Sequence, residues 1–294
     1  MIAVYKKELN AYFCNVYGFL FAAVILLVVG VMIFLTNLNP NLLNADIGIP
    51  LQYGAIAMIL MVPVLCMRTM AEDRRNKTEQ FYFSLPLRSS AVVLGKYLAL
   101  LTVFALPTLI LCVYPLILGS FGDVNYLHTY LSILMFFLLG ATLMAICMFL
   151  SSLTGHAVIS AALGVLVILA LYLLPMLANV LPTSPLASYI GLTILVLALG
   201  GGLLGFTGQL TLSLIVTAVG EVALAVTYLL SHLNGWELFD GLLCDVLSNV
   251  SPFFLFDSML VGQTLDLFAV FTMVALSAFF VYLTAQSAEK RRLS

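Results

Sequence analysis

Eight long apolar runs constrain this chain more than anything else in it, at about residues 16–36, 51–69, 94–119, 127–150, 157–179, 187–206, 209–231 and 265–286. At 1.5 Å of rise per residue, a helix of roughly 20 residues crosses a hydrocarbon core about 30 Å thick. The runs are continuously apolar and do not alternate with period two, so they read as helices and not as barrel strands. Turn-forming residues separate them at Asn37–Pro40, Gly119–Asn125, Ser151–His156, Pro182–Pro185 and Gly205–Gly208. The expected fold is an all-α polytopic membrane protein, a single transmembrane domain over residues 1–294 with eight spans. Six spans are the alternative, with 187–231 an extra helical hairpin that does not fully cross. Composition agrees: 8% of residues are charged and 63% are apolar, against about 25% charged in a soluble domain. So few charges cannot coat a water-soluble surface of this size.

The placement of the charges is more informative than their sum of −2. The eleven basic residues are Lys6, Lys7, Arg68, Arg74, Arg75, Lys77, Arg88, Lys96, Lys290, Arg291 and Arg292. All lie before the first run, around the connection between the second and third, or after the last. An even number of spans puts those three regions on one side, and the positive-inside rule names it cytoplasmic. Both termini are then cytoplasmic, in the cytoplasmic (inner) membrane. The first run follows two lysines as a signal peptide would. Its apolar stretch is too long and lacks a small-residue cleavage site, so it reads as an uncleaved anchor.

Three segments lie outside the apolar runs. In residues 2–15, Tyr5, Leu9, Tyr12, Phe13 and Val16 share one helical face. This predicts an amphipathic helix on the inner membrane surface, with Lys6 and Lys7 near anionic headgroups. In residues 70–91, Asp73–Lys77 and Arg75–Glu79 are opposite charges at i, i+4, which predicts a surface helix from Ala71 to about Phe83. Pro86 disfavours helix at Leu85, and Ser89 or Ser90 is placed to cap the next span. Phe81, Tyr82 and Phe83 among these charges either anchor a protein partner or dip into the membrane interface. The region 232–264 has Glu237, Asp240, Asp245 and Asp257 and no Lys or Arg. Trp236, Phe239, Leu243, Val246 and Val250 share a stripe there, predicting an outer amphipathic helix, and Ser251–Pro252 starts a fresh one.

Inside the spans, Glu221 is the one acid near a run's middle. An intramembrane carboxylate is costly and points to function. It stands either on a transport path or in a protonated latch between helices. Pro63, Pro107, Pro115 and Pro175 mark kinks, and Gly200–Gly202 permits close packing or a break. The five cysteines have no metal-ligand spacing, and neither a disulfide nor a metal site is expected. No H-E-x-x-H, G-x-S-x-G or G-x-x-x-x-G-K-[ST] motif is present. The chain is therefore not expected to be an enzyme or to hydrolyse ATP by itself, and nucleic acid is not an expected partner.

Residues 63–101, PVLCMRTMAEDRRNKTEQFYFSLPLRSSAVVLGKYLALL, resemble permease subunits of type-2 ABC exporters, especially the gliding-motility and copper-processing branch. The matching residues are Met67–Arg68, Glu72–Arg75, Thr78–Glu79, Leu85–Pro86 and Val93–Lys96. YKKEL before the first span and SPFFLFDSMLVGQTLDL with EKRR around the last also resemble the family. Lys77 stands where the family usually has Gly, Phe81–Tyr82 replace an aliphatic pair, and 187–231 is extra to the family's usual six spans. The resemblance implies that residues 70–91 dock on a separate ATP-binding subunit, through Glu72, Asp73, Arg74, Arg75, Thr78, Glu79, Phe81 and Tyr82. The turn Ser151–His156 would be a second, minor contact. It implies that ATP and Mg are bound by that partner, and that a second permease chain, identical or different, completes the path in the bilayer. Read without the resemblance, the chain could equally be an ATP-independent channel or a proton-coupled secondary transporter using Glu221.

Overall fold

The computed structural model describes residues 1–37, 47–76, 78, 89–119, 124–207, 210–234, 239–262 and 266–293. Every regular element among them is an α-helix. Helix α1 covers Ile2–Cys14, α2 Val16–Thr36, α3 Gly48–Cys66 and α4 Ala71–Arg75. Then come α5 Ser89–Leu111, α6 Tyr114–Leu118, α7 Tyr126–Leu153 and α8 Ala157–Ala178. The remainder are α9 Pro185–Thr207, α10 Leu210–Asn234, α11 Leu242–Val250, α12 Pro252–Gly262 and α13 Leu267–Leu293.

Each of the eight apolar runs coincides with one of these helices or with a consecutive pair. Among the described residues, six are long and apolar enough to span: α2, α3 with α4, α5 with α6, α7, α8 and α13. A seventh follows if α11 and α12 are one broken span. In α9 and α10 the described apolar portions are shorter, Pro185–Ala198 and Thr217–Leu229. The third span breaks at Cys112–Val113, with Pro115 in the first turn of α6, where its missing N–H costs no helical bond.

The chain forms two compact units, Met1–Ala170 with Leu255–Ser294, and Leu171–Phe254. In the first, α7 is the central helix: 72% of its apolar window is buried, against 28% for α2 and 22% for α13. Phe21, Phe104, Phe136 and Phe256 are all buried. Phe104 stacks on Phe137 at 5.5 Å between centroids and meets Phe21 edge-on at 5.8 Å. Such a knot of rings needs space, and glycines supply it. A Cβ on Gly140 would lie 2.2 Å from Phe104, and one on Gly54 2.7 Å from Val29. Small residues let helices approach closely where lipid gives no hydrophobic drive to associate.

In the second unit, Leu192, Phe239 and Leu243 form a buried cluster flanked by Tyr189 and Tyr228, whose rings stack at 4.7 Å. The amphipathic helix expected from Trp236 onward begins only at Leu242. Gly241 interrupts it in the left-handed region, φ +75°, and its N–H bonds the carbonyl of Thr183. Trp236 and Glu237 lie outside the described residues. The helix start at Ser251–Pro252 matches expectation. Ser251 Oγ accepts from the N–H of Phe254 and donates to the carbonyl of Leu171 at 2.7 Å.

Candidate functional site

A lysine in the second turn of a span-forming helix must find a carboxylate or leave the membrane. Lys96, on α5, is 2% exposed. Its Nζ pairs with the carboxylate of Asp73 on α4, lies 3.5 Å from Glu8 Oε1 on α1, and donates to the backbone carbonyl of Thr69 between α3 and α4. One buried cation thus ties α1, α4 and the α3–α4 connection to α5. A lone lysine inside VVLGKYLAL is a readable signal for such a hub; by sequence Lys96 stands among the cytoplasmic positive charges and in the Val93–Lys96 resemblance, with no partner assigned to it.

The start of α4 is held from α7. Ser151, fully buried, accepts from the N–H groups of Met70 at 3.3 Å and Ala71 at 3.2 Å, and donates to the carbonyl of Met67. A serine distant in sequence therefore does the work of an N-cap, satisfying donors that a five-residue helix cannot satisfy internally. The end of α7 is engaged in turn. Arg74 donates to the carbonyl of Leu153 at 3.4 Å, and Arg291 of α13 to that of Ser152. These carbonyls are the orphans of a helix C-terminus, which favours cations. Contacts of Glu8, Asp73, Lys96 and Arg291 thereby bring the N-terminal, 68–96 and C-terminal basic regions to one end of this unit, as the positive-inside reading required.

The expected surface helix over 71–83 is not continuous. It stops at Arg75, and Asn76 leaves helical geometry. Thr78, again helical beyond that break, donates to the backbone carbonyl of Asp73 and to its carboxylate at 2.7 Å. Asp73 faces inward to Lys96 and Thr78, while Arg74 and Arg75 are exposed and Glu72 half-buried. Lys77, Glu79, Phe81, Tyr82, Phe83 and Pro86 lie outside the described residues. Helix α5 begins at Ser89, so Ser89 and Ser90 stand in its first turn and not ahead of it.

Helix α1 forms as expected, with Lys6 and Lys7 exposed, but it also packs on α5. Tyr5 Oη and Thr102 Oγ1 are 3.0 Å apart, and Val4 is buried where Gly95 admits it. Beside it lies a cavity of about 240 Å³ lined by residues of α1, the start of α2, the end of α3 and α4, among them Tyr12, Tyr17, Arg68 and Glu72. Burial, then nearby Cys66 and the carboxylates of Glu8, Asp73 and Glu72, push the Tyr12 phenol well above its ordinary range.

Glu221 is in the second unit, on α10. Its Oε1 is buried and meets no hydrogen-bond partner among the described residues. Thr217 and Thr227 on the same helix turn their hydroxyls to backbone carbonyls. Among the described residues no cluster of His, Cys, Asp and Glu could hold a metal.

No curated protein and no solved structure matches the chain. The family model described as ABC-2 family transporter protein matches residues 36–199, more than half of the 294 residues. That stretch contains α4 and the two residues that anchor it, Lys96 and Ser151. A polytopic helical protein with this match belongs to the ABC-2 family of transporter proteins.

Proposed function

We propose that this chain is the transmembrane subunit of an ATP-driven exporter in the cytoplasmic membrane, of the gliding-motility and copper-processing branch. A separate ATP-binding subunit holds ATP and Mg and docks on residues 70–91. A second permease chain, identical or different, completes the translocation path. The observation that carries this reading is the attachment of α4. Lys96 and Ser151 anchor it to α5 and α7, while Arg75 and Arg74, the latter also reaching the end of α7, stay exposed. A short charged helix clamped this way transmits a push from a partner into the spans instead of absorbing it. Movement of the bundle then follows from differential contacts that the partner makes in its two nucleotide states.

The test is co-purification of the ATP-binding subunit with the permease from membranes. The double reversal Arg74→Glu and Arg75→Glu should abolish association while membrane insertion is kept. An intact complex after reversal would sink the docking assignment.

A second reading has one observation behind it, the buried oxygen of Glu221 that meets no hydrogen-bond partner among the described residues. In that reading the acid carries a proton in a secondary transporter or channel that needs no ATP-binding subunit.

A further inference from the structure

The cavity beside α1 joins groups that the docking reading does not use, Tyr12, Tyr17 and Arg68, to Glu72, which lies in the docking segment. Arg68 and Glu72 face each other loosely at 3.7 Å, both side chains more than a third exposed. The guanidinium of Arg68 sits 4.3 Å from the centre of the Tyr17 ring, a stacking geometry that fixes its plane. Tyr12 is only 8% exposed and lines the same cavity, yet its hydroxyl makes no hydrogen bond among the described residues. A phenol that lines a cavity can donate a hydrogen bond to a ligand that enters it. With its titration pushed upward by burial, it remains a donor throughout the physiological range.

The lining charges select the ligand. Arg68 and Lys7 are cationic; Glu8, Glu72 and Asp73 are anionic. Asp73 and Glu8 already serve Lys96. The weak Arg68–Glu72 pair is the one that a ligand can open at little cost. A phosphate suits Arg68, which offers two parallel donors, with the Tyr12 hydroxyl as a third. The carboxylates disfavour a purely anionic ligand and suit a primary ammonium, which donates hydrogen bonds that a quaternary ammonium cannot. Location supplies the rest of the ligand. Val64 and Leu65 at the end of α3 and Tyr17 at the start of α2 line the cavity where the spans emerge. Val16, Phe19 and Leu20 beside it are 74%, 58% and 46% exposed, an apolar flank along which acyl chains can lie.

We infer that this cavity is a binding site for the headgroup of an aminophospholipid, with phosphate on Arg68 and Tyr12 and ammonium on Glu72. The site does not depend on how the transporter is energised, and its test needs no ATP-binding subunit.

The full chain is purified, exposed to equal amounts of phosphatidylethanolamine, phosphatidylglycerol and phosphatidylcholine, and retained lipid is counted by native mass spectrometry. Phosphatidylethanolamine is expected to be held about tenfold better than either other lipid, the worth of one charge-assisted hydrogen bond. Glu72→Gln should erase that preference, and Arg68→Gln should weaken retention of all three lipids, with helical content unchanged by circular dichroism. Tyr12→Phe, nearly isosteric, should weaken retention of phosphatidylethanolamine and of phosphatidylglycerol alike, because it removes a phosphate donor only. Equal retention of all three lipids overturns the proposal, as does a preference that survives Glu72→Gln or retention that Arg68→Gln leaves unchanged. Glycerophosphoethanolamine has the headgroup without the chains. If it displaces the lipid at equal concentration, the ligand is a soluble phosphate ester and the lipid assignment fails.

Discussion

The ammonium of Lys96 and the carboxylate of Asp73 form a buried ion pair between α5 and α4, across 23 positions of sequence. Glu8 makes it a triad by reaching in from α1. Removing one partner of a buried pair costs far more than the pair contributes, because the remaining charge stays desolvated. Lys96→Met should therefore destabilise the purified protein by about 3 kcal/mol in denaturant unfolding. Lys96→Met combined with Asp73→Asn should cost less than the sum of the two single changes by at least about 1 kcal/mol. Simple additivity would show that the two side chains do not act as a pair.

Ser151 is the only buried hydroxyl among the described residues that joins α7 to the first turn of α4. Ser151→Ala should cost about 1 kcal/mol, the usual worth of a helix cap. If α4 is the docking element, the same variant should weaken co-purification of the ATP-binding subunit without removing a single exposed charge. Ser152, whose hydroxyl among the described residues bonds the carbonyl of Phe149 in its own helix, provides the comparison: Ser152→Ala should leave association unchanged.

Two glycines separate steric from backbone demand. A Cβ at Gly140 would collide with the Phe104 ring at 2.2 Å, so Gly140→Ala should lower stability by about 1–3 kcal/mol through overpacking. Gly241 has open space around it but a φ of +75°. Gly241→Ala should cost about 1 kcal/mol from the left-handed backbone alone. Trimming Phe104 to Leu should partly rescue the first variant and do nothing for the second, as read by thermal unfolding in detergent.

Glu221→Gln keeps the shape of the side chain and removes its proton chemistry. If transport is driven by the ATP-binding subunit, the variant should transport in reconstituted vesicles with an unchanged dependence on pH. Loss of a pH-dependent component would instead support the proton-coupled reading.

Much of the charged cluster around α4 was visible in the chain, in uneven depth. Arg68, Glu72, Arg74 and Arg75 stood out because charge is scarce and they are clustered. The i, i+4 rule then overreached. It placed Asp73 on a solvated helix face, whereas the carboxylate turns inward to a lysine 23 residues later. Pair rules of that kind count neighbours along one helix and are blind to a partner arriving from another. Ser151 was equally invisible as a cap, since nothing in SSLTGH announces that its hydroxyl serves α4. Gly241 broke the expected outer helix for a related reason: the apolar stripe from Trp236 continues across it, but the backbone turns there to bond Thr183.

The sequence by itself determined that this is a polytopic helical protein, where its helices fall, and that its basic segments share one side. Those properties follow from hydropathy and charge summed over about twenty residues, which a bilayer enforces without reference to any particular neighbour. Only the tertiary structure decided which carboxylates receive Lys96, which serine caps α4, and that Tyr12, Tyr17, Arg68 and Glu72 enclose a common cavity. Each of these depends on one atom meeting another across helices, and such distances arise from packing around Phe104 and α7, not from any local pattern.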